Sequence, residues 1–338
     1  MRRVMRRVMR RPVVLTALGV VASLALLTTF FVEGAFGSGA RRATPAASKS
    51  TITFIVYTDP SVQFFVPAVR GARDAAKLFG LGLNVQYGNS DAVTENNEIQ
   101  TAMARKTSGI AVSVPDNQAY TKTICAARKA GIPVVSWNVT ATSGAAHSCI
   151  MAFMGQDFVA AGELIAQRMI KDYGIKRGDL VFTPVEAPTA TYAVQRYAGV
   201  KKALAAVGAH AELLGTGFNL ADVQTKETQY LLGHRNVKAI IALGSAPLTE
   251  APKAISQVHK KIPIGGFDLT PDIIKAIKSG TIDATVDQQP YSQGFYAVAQ
   301  LALYLKYGLF PSDMATGGRG LVDKSNVGKV AALAGTIR

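Results

Sequence analysis

Polar and aromatic side chains recur at one kind of place in this sequence, just beyond short apolar runs. Thr58 and Asp59 follow TITFIVY, with Phe64 and Phe65 a few residues on. Asp116 follows GIAVSV, and Trp137 and Asn138 close IPVVSW. In the second half the equivalent places hold Thr189 to Tyr192, then Phe218 with Asn219, then Ser245. Asp268 comes directly after IPIGGF, and Asp287, Gln288 and Gln289 end the last such run. Carboxylates and amides accept and donate paired hydrogen bonds. Aromatic rings supply apolar walls, and small-molecule pockets combine such walls with a few convergent polar groups. Together these residue types suit a neutral, polyhydroxylated ligand.

Each of these residues has a plainer reading. Asp268 can cap a helix that begins near Thr270. Trp137 can be core, and Asn138 a turn residue. Phe64 and Phe65 are consecutive, so one helix face cannot bury both, and one of them is expected in the core.

Catalytic patterns are missing. TDPSVQFF follows the first apolar run, where a dinucleotide fingerprint or a phosphate loop would need glycines. No Gly-x-Ser-x-Gly elbow occurs. His147, His210, His234 and His259 are scattered without metal-ligand spacing, which reads as surface placement. Gly317-Gly318-Arg319-Gly320 reads as a flexible turn in the C-terminal tail. The expectation is therefore a binding protein with no catalytic residue, no cofactor and no metal.

The elements that must hold the polar set in place alternate strictly. Short apolar strands are predicted at 51–57, 83–87, 109–114, 132–137 and 149–155, with helices between the first four. A loop is predicted over 138–148. The pattern resumes with strands at 179–183, 210–215, 237–243, 262–267 and 282–287, again separated by helices, and a helix at 291–307 closes it. Strand–helix alternation implies βαβ units and parallel sheets. The fold class is α/β, and ten strands fit two doubly wound sheets better than one. The break falls between Ser148 and Gln156. In such sheets ligands sit beyond the carboxyl ends of the strands, where the polar set lies.

Composition narrows the class further. The 338 residues are 49% hydrophobic and 17% charged, which suits folded domains. Nine of the 37 basic residues and one of the 22 acidic residues lie in the first 50 positions, which leaves 28 against 21 and a net charge of +7 in place of +15. No dense basic stripe remains for nucleic acid.

The N-terminus reads as a targeting segment over 1–40. Six arginines between Arg2 and Arg11 precede an uncharged apolar run, Val13 to Val32, and the small residues Ser38-Gly39-Ala40 suit a signal peptidase. The run is also long enough for an uncleaved anchor with its positive end inside. No cysteine follows it for lipidation, which favours a periplasm. Residues 41–50 (RRATPAASKS) read as a linker. Cys125 and Cys149 are the two cysteines. Export permits a disulfide between them, and two buried thiols are the alternative.

The layout resembles the type I periplasmic sugar-binding proteins, the family of the ribose- and galactose-binding proteins, over about residues 51–325. The resemblance rests on Phe64-Phe65, on Gly131-Ile132-Pro133-Val134-Val135 leading to Asn138, on Gly155-Gln156-Asp157, on Gly265-Gly266-Phe267-Asp268 followed by Thr270-Pro271-Asp272, and on Asp287-Gln288-Gln289-Pro290-Tyr291. It implies two lobes joined by a three-segment hinge, residues 51–154 plus 289–315 and residues 155–288 plus 316–338. It implies a monomer that closes over a monosaccharide or polyol and docks on an ABC permease with its ATPase. Nucleic acid plays no part, and the membrane is met only through the leader or the permease. A receptor for a sugar-like signal, autoinducer-2 or a chemoattractant, shares the fold and is the alternative. The cysteine pair also resembles that of the autoinducer-2-binding proteins, which supports the disulfide.

By this resemblance Phe64 or Phe65, Asn138, Phe218, Asp268 and Gln288 line the cleft. The ribose-binding pattern has Asp-Arg where Asn138-Val139 stands. Its second-lobe arginine aligns near Val194, two residues before Arg196, and its asparagine near Gly244. The expected cleft thus lacks both arginines and one amide, with Asp59, Tyr192 or Ser245 compensating. A polyol or an unusual sugar is expected over ribose.

Overall fold

The computed structural model describes residues 50–318 and 320–338. The leader and all but the last residue of the linker lie outside the described residues. From Ser50 on, strands and helices alternate: β1 (Thr51–Val56), α1 (Val66–Phe79), β2 (Gly82–Tyr87), α2 (Ala92–Ala104), β3 (Gly109–Val112), α3 (Thr121–Lys129), β4 (Val134–Asn138), a short α4 (Gly144–Cys149) and β5 (Phe153–Gly155). The second half runs α5 (Phe158–Tyr173), β6 (Leu180–Val185), α6 (Thr191–Ala206), β7 (His210–Gly215), α7 (Leu220–Gly233), β8 (Val237–Ala242), α8 (Ser245–Gln257), β9 (Ile264–Phe267), α9 (Pro271–Ser279) and β10 (Ala284–Val286). The chain ends with α10 (Pro290–Tyr307), β11 (Met314–Ala315) and β12 (Leu321–Asp323).

Local chemistry sets many of these boundaries. Asp157 caps α5 by accepting from the Ala160 N–H, and Gly174 ends it in the left-handed region at φ 58°. Pro271 opens α9 behind the Thr270 cap, and Gly280 closes it at φ 80°. Central strands β3, β4, β6 and β9 are buried along their whole length, which is why they read as continuous apolar runs.

Two six-stranded sheets form, in the orders β11-β5-β4-β3-β1-β2 and β12-β10-β9-β8-β6-β7. All pairings are parallel except β10 with β12. Setting aside the edge strand that the C-terminal segment adds to each, both sheets follow the doubly wound order 2-1-3-4-5, a similarity invisible in the sequence. The first sheet belongs to lobe 1 and the second to lobe 2. Among the differences from expectation, two lie next to the break between the halves. Residues 144–149 form the short α4, where a loop was predicted, and β5 begins at Phe153, not at Cys149.

Lobe 1 is braced by a stack of Phe54 on Trp137, ring centres 4.3 Å apart and both side chains fully buried. Burying Phe54 alone stabilises the lobe by roughly 2–3 kcal/mol. Trp137 Nε1 donates to the Ile55 carbonyl at 3.1 Å, so Trp137 is core, its plainer reading. Cys125 on α3 and Cys149 at the end of α4 are joined in a disulfide, with Cα atoms 5.2 Å apart. That resolves the cysteines as a pair and not as two thiols. Among the described residues no helix is long and apolar enough to cross a membrane.

Candidate functional site

Beyond the carboxyl ends of both sheets lies a narrow cleft, lined by Phe64, Phe65 and Asn138 on one side and by Glu186, Arg196 and Asp268 on the other. The lobe 1 wall is aromatic. A 3-10 turn at Gln63–Phe65 turns Phe64 and Phe65 together into the cleft, with their rings 4.8 Å apart and edge-on. Both are buried and both line the cleft. The expectation that one of them belongs to the core is met by both, since Phe64 and Phe65 each join the apolar cluster of lobe 1 while reaching the cleft. Phe65 also meets Tyr57 and Trp137 edge-on, at 5.4 and 5.9 Å. Phe218 faces Tyr57 from the other lobe at 6.5 Å.

The polar floor is built by residues with unusual backbones. Asn138, Asp268 and Gln289 have positive φ, at 60°, 80° and 57°. Non-glycine residues in this region cost energy and cluster at ligand sites. Asp268 is not the helix cap, since Thr270 caps α9 by accepting from the Ile273 N–H. Instead Asp268 Oδ1 accepts from Gln288 Nε2 at 2.5 Å. Asn138 Nδ2 donates to Gln288 Oε1 at 3.2 Å and to Gln293 Oε1 at 3.1 Å. Gln293 Nε2 in turn reaches Thr316 Oγ1 at 3.0 Å. This amide chain ties the β4 end to the two late crossings between lobes. Gly317, expected in a flexible tail, sits at one of them, where a Cβ would come within 2.5 Å of the Asp287 carbonyl.

Arg196 was not expected here. It projects from α6 into the cleft and is 2% exposed. Its Nη1 donates to the Leu243 carbonyl at 2.6 Å, and its Nη2 to Gln156 Oε1 at 3.5 Å. The guanidinium lies 4.0 Å from the Phe267 ring centre, 4.9 Å from that of Phe158 and 5.4 Å from that of Tyr192. Its Nε is buried with no protein partner. Nη2 stands 4.0 Å from Asp268 Oδ1. At that distance the attraction does not offset desolvation. Burial, opposed by Arg196 and Gln288, pushes the Asp268 carboxyl up to about 6. Val194, where the ribose-binding arginine aligns, is 52% exposed. The cleft therefore has a guanidinium after all, supplied from one side of the helix that Val194 leaves.

Glu186, immediately after β6, is the other unexpected member. Its Oε1 accepts from the Ala246 N–H at 3.0 Å and its Oε2 from the Tyr192 hydroxyl at 3.1 Å. Burial raises its pKa. A Cβ on Gly244 would lie 2.1 Å from that carboxylate, so the missing amide leaves the space that Glu186 fills.

Of the predicted residues, Phe64, Phe65, Asn138, Tyr192, Phe218, Asp268 and Gln288 meet at the cleft, and Ser245 joins them. Asp59 does not. Its Oδ1 accepts from both the backbone and the hydroxyl of Ser61, which closes its own turn at the rim. Asp116 and Asn219 are likewise spent on local backbone N–H groups. Among the described residues no group of His, Cys, Asp and Glu is placed to hold a metal. What the cleft offers is donors from Arg196 and the amides, acceptors from Asp268 and Glu186, and ring faces on both sides.

Comparison with known proteins agrees with this geometry. The sequence model of a family described as periplasmic binding protein domain matches residues 52–309. A xylose/arabinose-binding protein of Sulfolobus acidocaldarius is 30% identical over 297 residues, covering 82% of this chain and 71% of that protein. A ribose import binding protein of Haemophilus influenzae is 27% identical over 271 residues, 77% of this chain and 87% of its own. Among solved structures, a carbohydrate transporter from Acidothermus cellulolyticus in complex with myo-inositol superposes with a TM-score of 0.77 at 29% identity, covering 85% of this chain and 98% of that one.

Proposed function

The chain belongs to the periplasmic binding protein family, whose members are non-enzymatic transport components, and from that premise we propose that it closes two lobes over a neutral monosaccharide or polyol for an ABC-type importer. The observation that carries the ligand class is the cleft's composition. Asp268 and Glu186 accept hydroxyl hydrogens, the free Arg196 Nε donates, and Phe64, Phe65 and Phe218 flank a ring. Relatives named for xylose, arabinose and ribose, and a structural neighbour holding myo-inositol, support the same class. Asn138-Val139 in place of Asp-Arg favours a ligand other than ribose.

The lobes are residues 51–154 plus 289–315 and residues 155–288 plus 316–338, which hinge at three crossings. The partner is a permease with its ATPase, which reads the closed form. The arginine-led apolar segment at the N-terminus exports the chain across the inner membrane, and binding takes place in the periplasm.

A thermal-shift screen against pentoses, hexoses and cyclitols tests the reading. A ligand at 100 times its Kd adds about 2.7 kcal/mol, which raises the melting temperature by roughly 4–5 °C in a protein of this size. No shift with any carbohydrate or polyol would refute it.

A further inference from the structure

The end of lobe 1 opposite the cleft carries a surface that sugar capture does not use. Leu78 (70% exposed) at the end of α1 shares one groove with Leu309 (56%) and Phe310 (80%), which follow α10, and Tyr307 (60%) stands beside them. Single exposed apolar side chains are ordinary, but contiguous ones mark contact surfaces. This end of the lobe is also basic. Lys77, Arg105, Lys106, Arg128, Lys129 and Lys306 stand at the C-terminal ends of α1, α2, α3 and α10. Helix dipoles account for some of this bias, yet between these residues and the strands they lead to, the only acid is Asp313. Among the described residues, lobe 2 has exposed lysines at its corresponding end but no comparable apolar cluster, with Leu232 (60%) standing alone.

The chain also enters at this edge. The Ser50 carbonyl accepts from the Gly82 N–H at 2.9 Å, and Gly82 lies three residues beyond Phe79, which lines the same groove. Upstream of Ser50 lie 49 residues that include the uncharged run Val13 to Val32, long enough at roughly 20 residues to span a bilayer. The eighteen residues 33–50 between that run and β1 reach at most about 65 Å. A chain held by that run keeps the base of lobe 1 within reach of the bilayer.

We propose that the base of lobe 1 is a resting surface for a bilayer with anionic headgroups. Leu78, Leu309 and Phe310 enter the headgroup boundary, and the surrounding lysines and arginines meet lipid phosphates, the chemistry of interfacial binding. The cleft lies at the other end of the lobe and stays open to solvent in this pose. The surface serves the waiting receptor, before it tips on its linker to meet a permease.

The test uses the full chain in vesicles of phosphatidylcholine and phosphatidylglycerol with brominated acyl chains. Phe310→Trp places a reporter in the surface, and the single native tryptophan, Trp137, is fully buried and gives a constant background. Leu232→Trp is the control on lobe 2. Emission of the Phe310→Trp protein should fall by roughly half relative to unbrominated vesicles. Adding Lys77→Glu and Lys306→Glu should restore it, and the Leu232→Trp protein should not change. Quenching equal at the two reporters, or quenching untouched by the charge reversals, overturns the proposal. So does a spectral change that follows protein density in unbrominated vesicles, which assigns the surface to a second copy of the chain.

Discussion

Asp268 shows how one residue links stability to binding. Burial holds its carboxyl at about 6, above the 3.8 of an exposed aspartate. The folded, ligand-free protein thus binds that proton more tightly than the unfolded chain. The contribution to stability is fully present below 3.8 and is lost as pH rises through 6, and it is on the order of 3 kcal/mol at one pKa unit per 1.4 kcal/mol. Ligand binding runs the other way, because hydroxyls donate best to the ionised carboxylate. Melting curves should show the wild type gaining stability relative to Asp268→Asn as pH falls from 7 to 5, while calorimetry shows its sugar affinity weakening. Parallel melting curves for the two proteins would contradict this. Asp268 was legible because it directly follows an apolar run. Glu186 obeys the same rule, but β6 runs two residues longer than the apolar pattern suggests and hides it. Arg196 was not legible at all. It is the sixth residue of α6, and only the packing of that helix decides that its side chain reaches the cleft.

The packing of α6 depends on glycines that look like weaknesses in a helix. In lobe 2, a Cβ on Gly162 of α5 would lie 2.3 Å from the Arg196 carbonyl, and one on Gly199 of α6 would lie 2.1 Å from the Val159 carbonyl. Lobe 1 repeats the device. Gly71 of α1 approaches the Tyr291 carbonyl, and Gly294 of α10 approaches that of Ala68, at 2.1 and 1.9 Å by the same measure. Each lobe therefore has one helix pair in backbone contact, and in lobe 2 that contact places Arg196. Gly162→Ala must push α5 and α6 apart. Overpacking of this kind costs about 1–3 kcal/mol, read by denaturant unfolding, and it should also weaken sugar binding several-fold because Arg196 moves. Unchanged stability and affinity would show that the close approach is dispensable. Helical glycines count against helix formation in a sequence, so this device cannot be read from propensity. The alternation of buried strands and helices can, since apolar runs of four to six residues repeat along the chain. Elements as short as β11 and α4 carry no periodicity and exist only through their tertiary partners.

At the scale of the whole molecule, the lobes meet at the cleft rim through α6. The Thr191 N–H donates to the Pro115 carbonyl at 2.9 Å, and its hydroxyl donates to the Thr140 carbonyl at 3.1 Å. Tyr57 and Phe218 meet across the same gap. These contacts belong to a closed arrangement and compete with the hinge's freedom to open. Thr191 does not line the cleft, so its hydroxyl acts on closure and not on ligand recognition. Thr191→Val keeps the shape and the backbone bond but removes one hydrogen bond of about 1 kcal/mol. A two-state hinge converts that loss into affinity, because binding is weakened by whatever fraction of the closed form is lost. The Kd should rise by up to roughly fivefold, by the same factor for every sugar that binds. Small-angle scattering should show a larger mean radius at sub-saturating ligand. A change that differs between sugars would place Thr191 in the recognition site, and no change in either measurement would mean that the rim contact does not control closure. The uniform factor decides between the two readings, since a residue that touches ligand discriminates among ligands and one that only holds the lobes together does not.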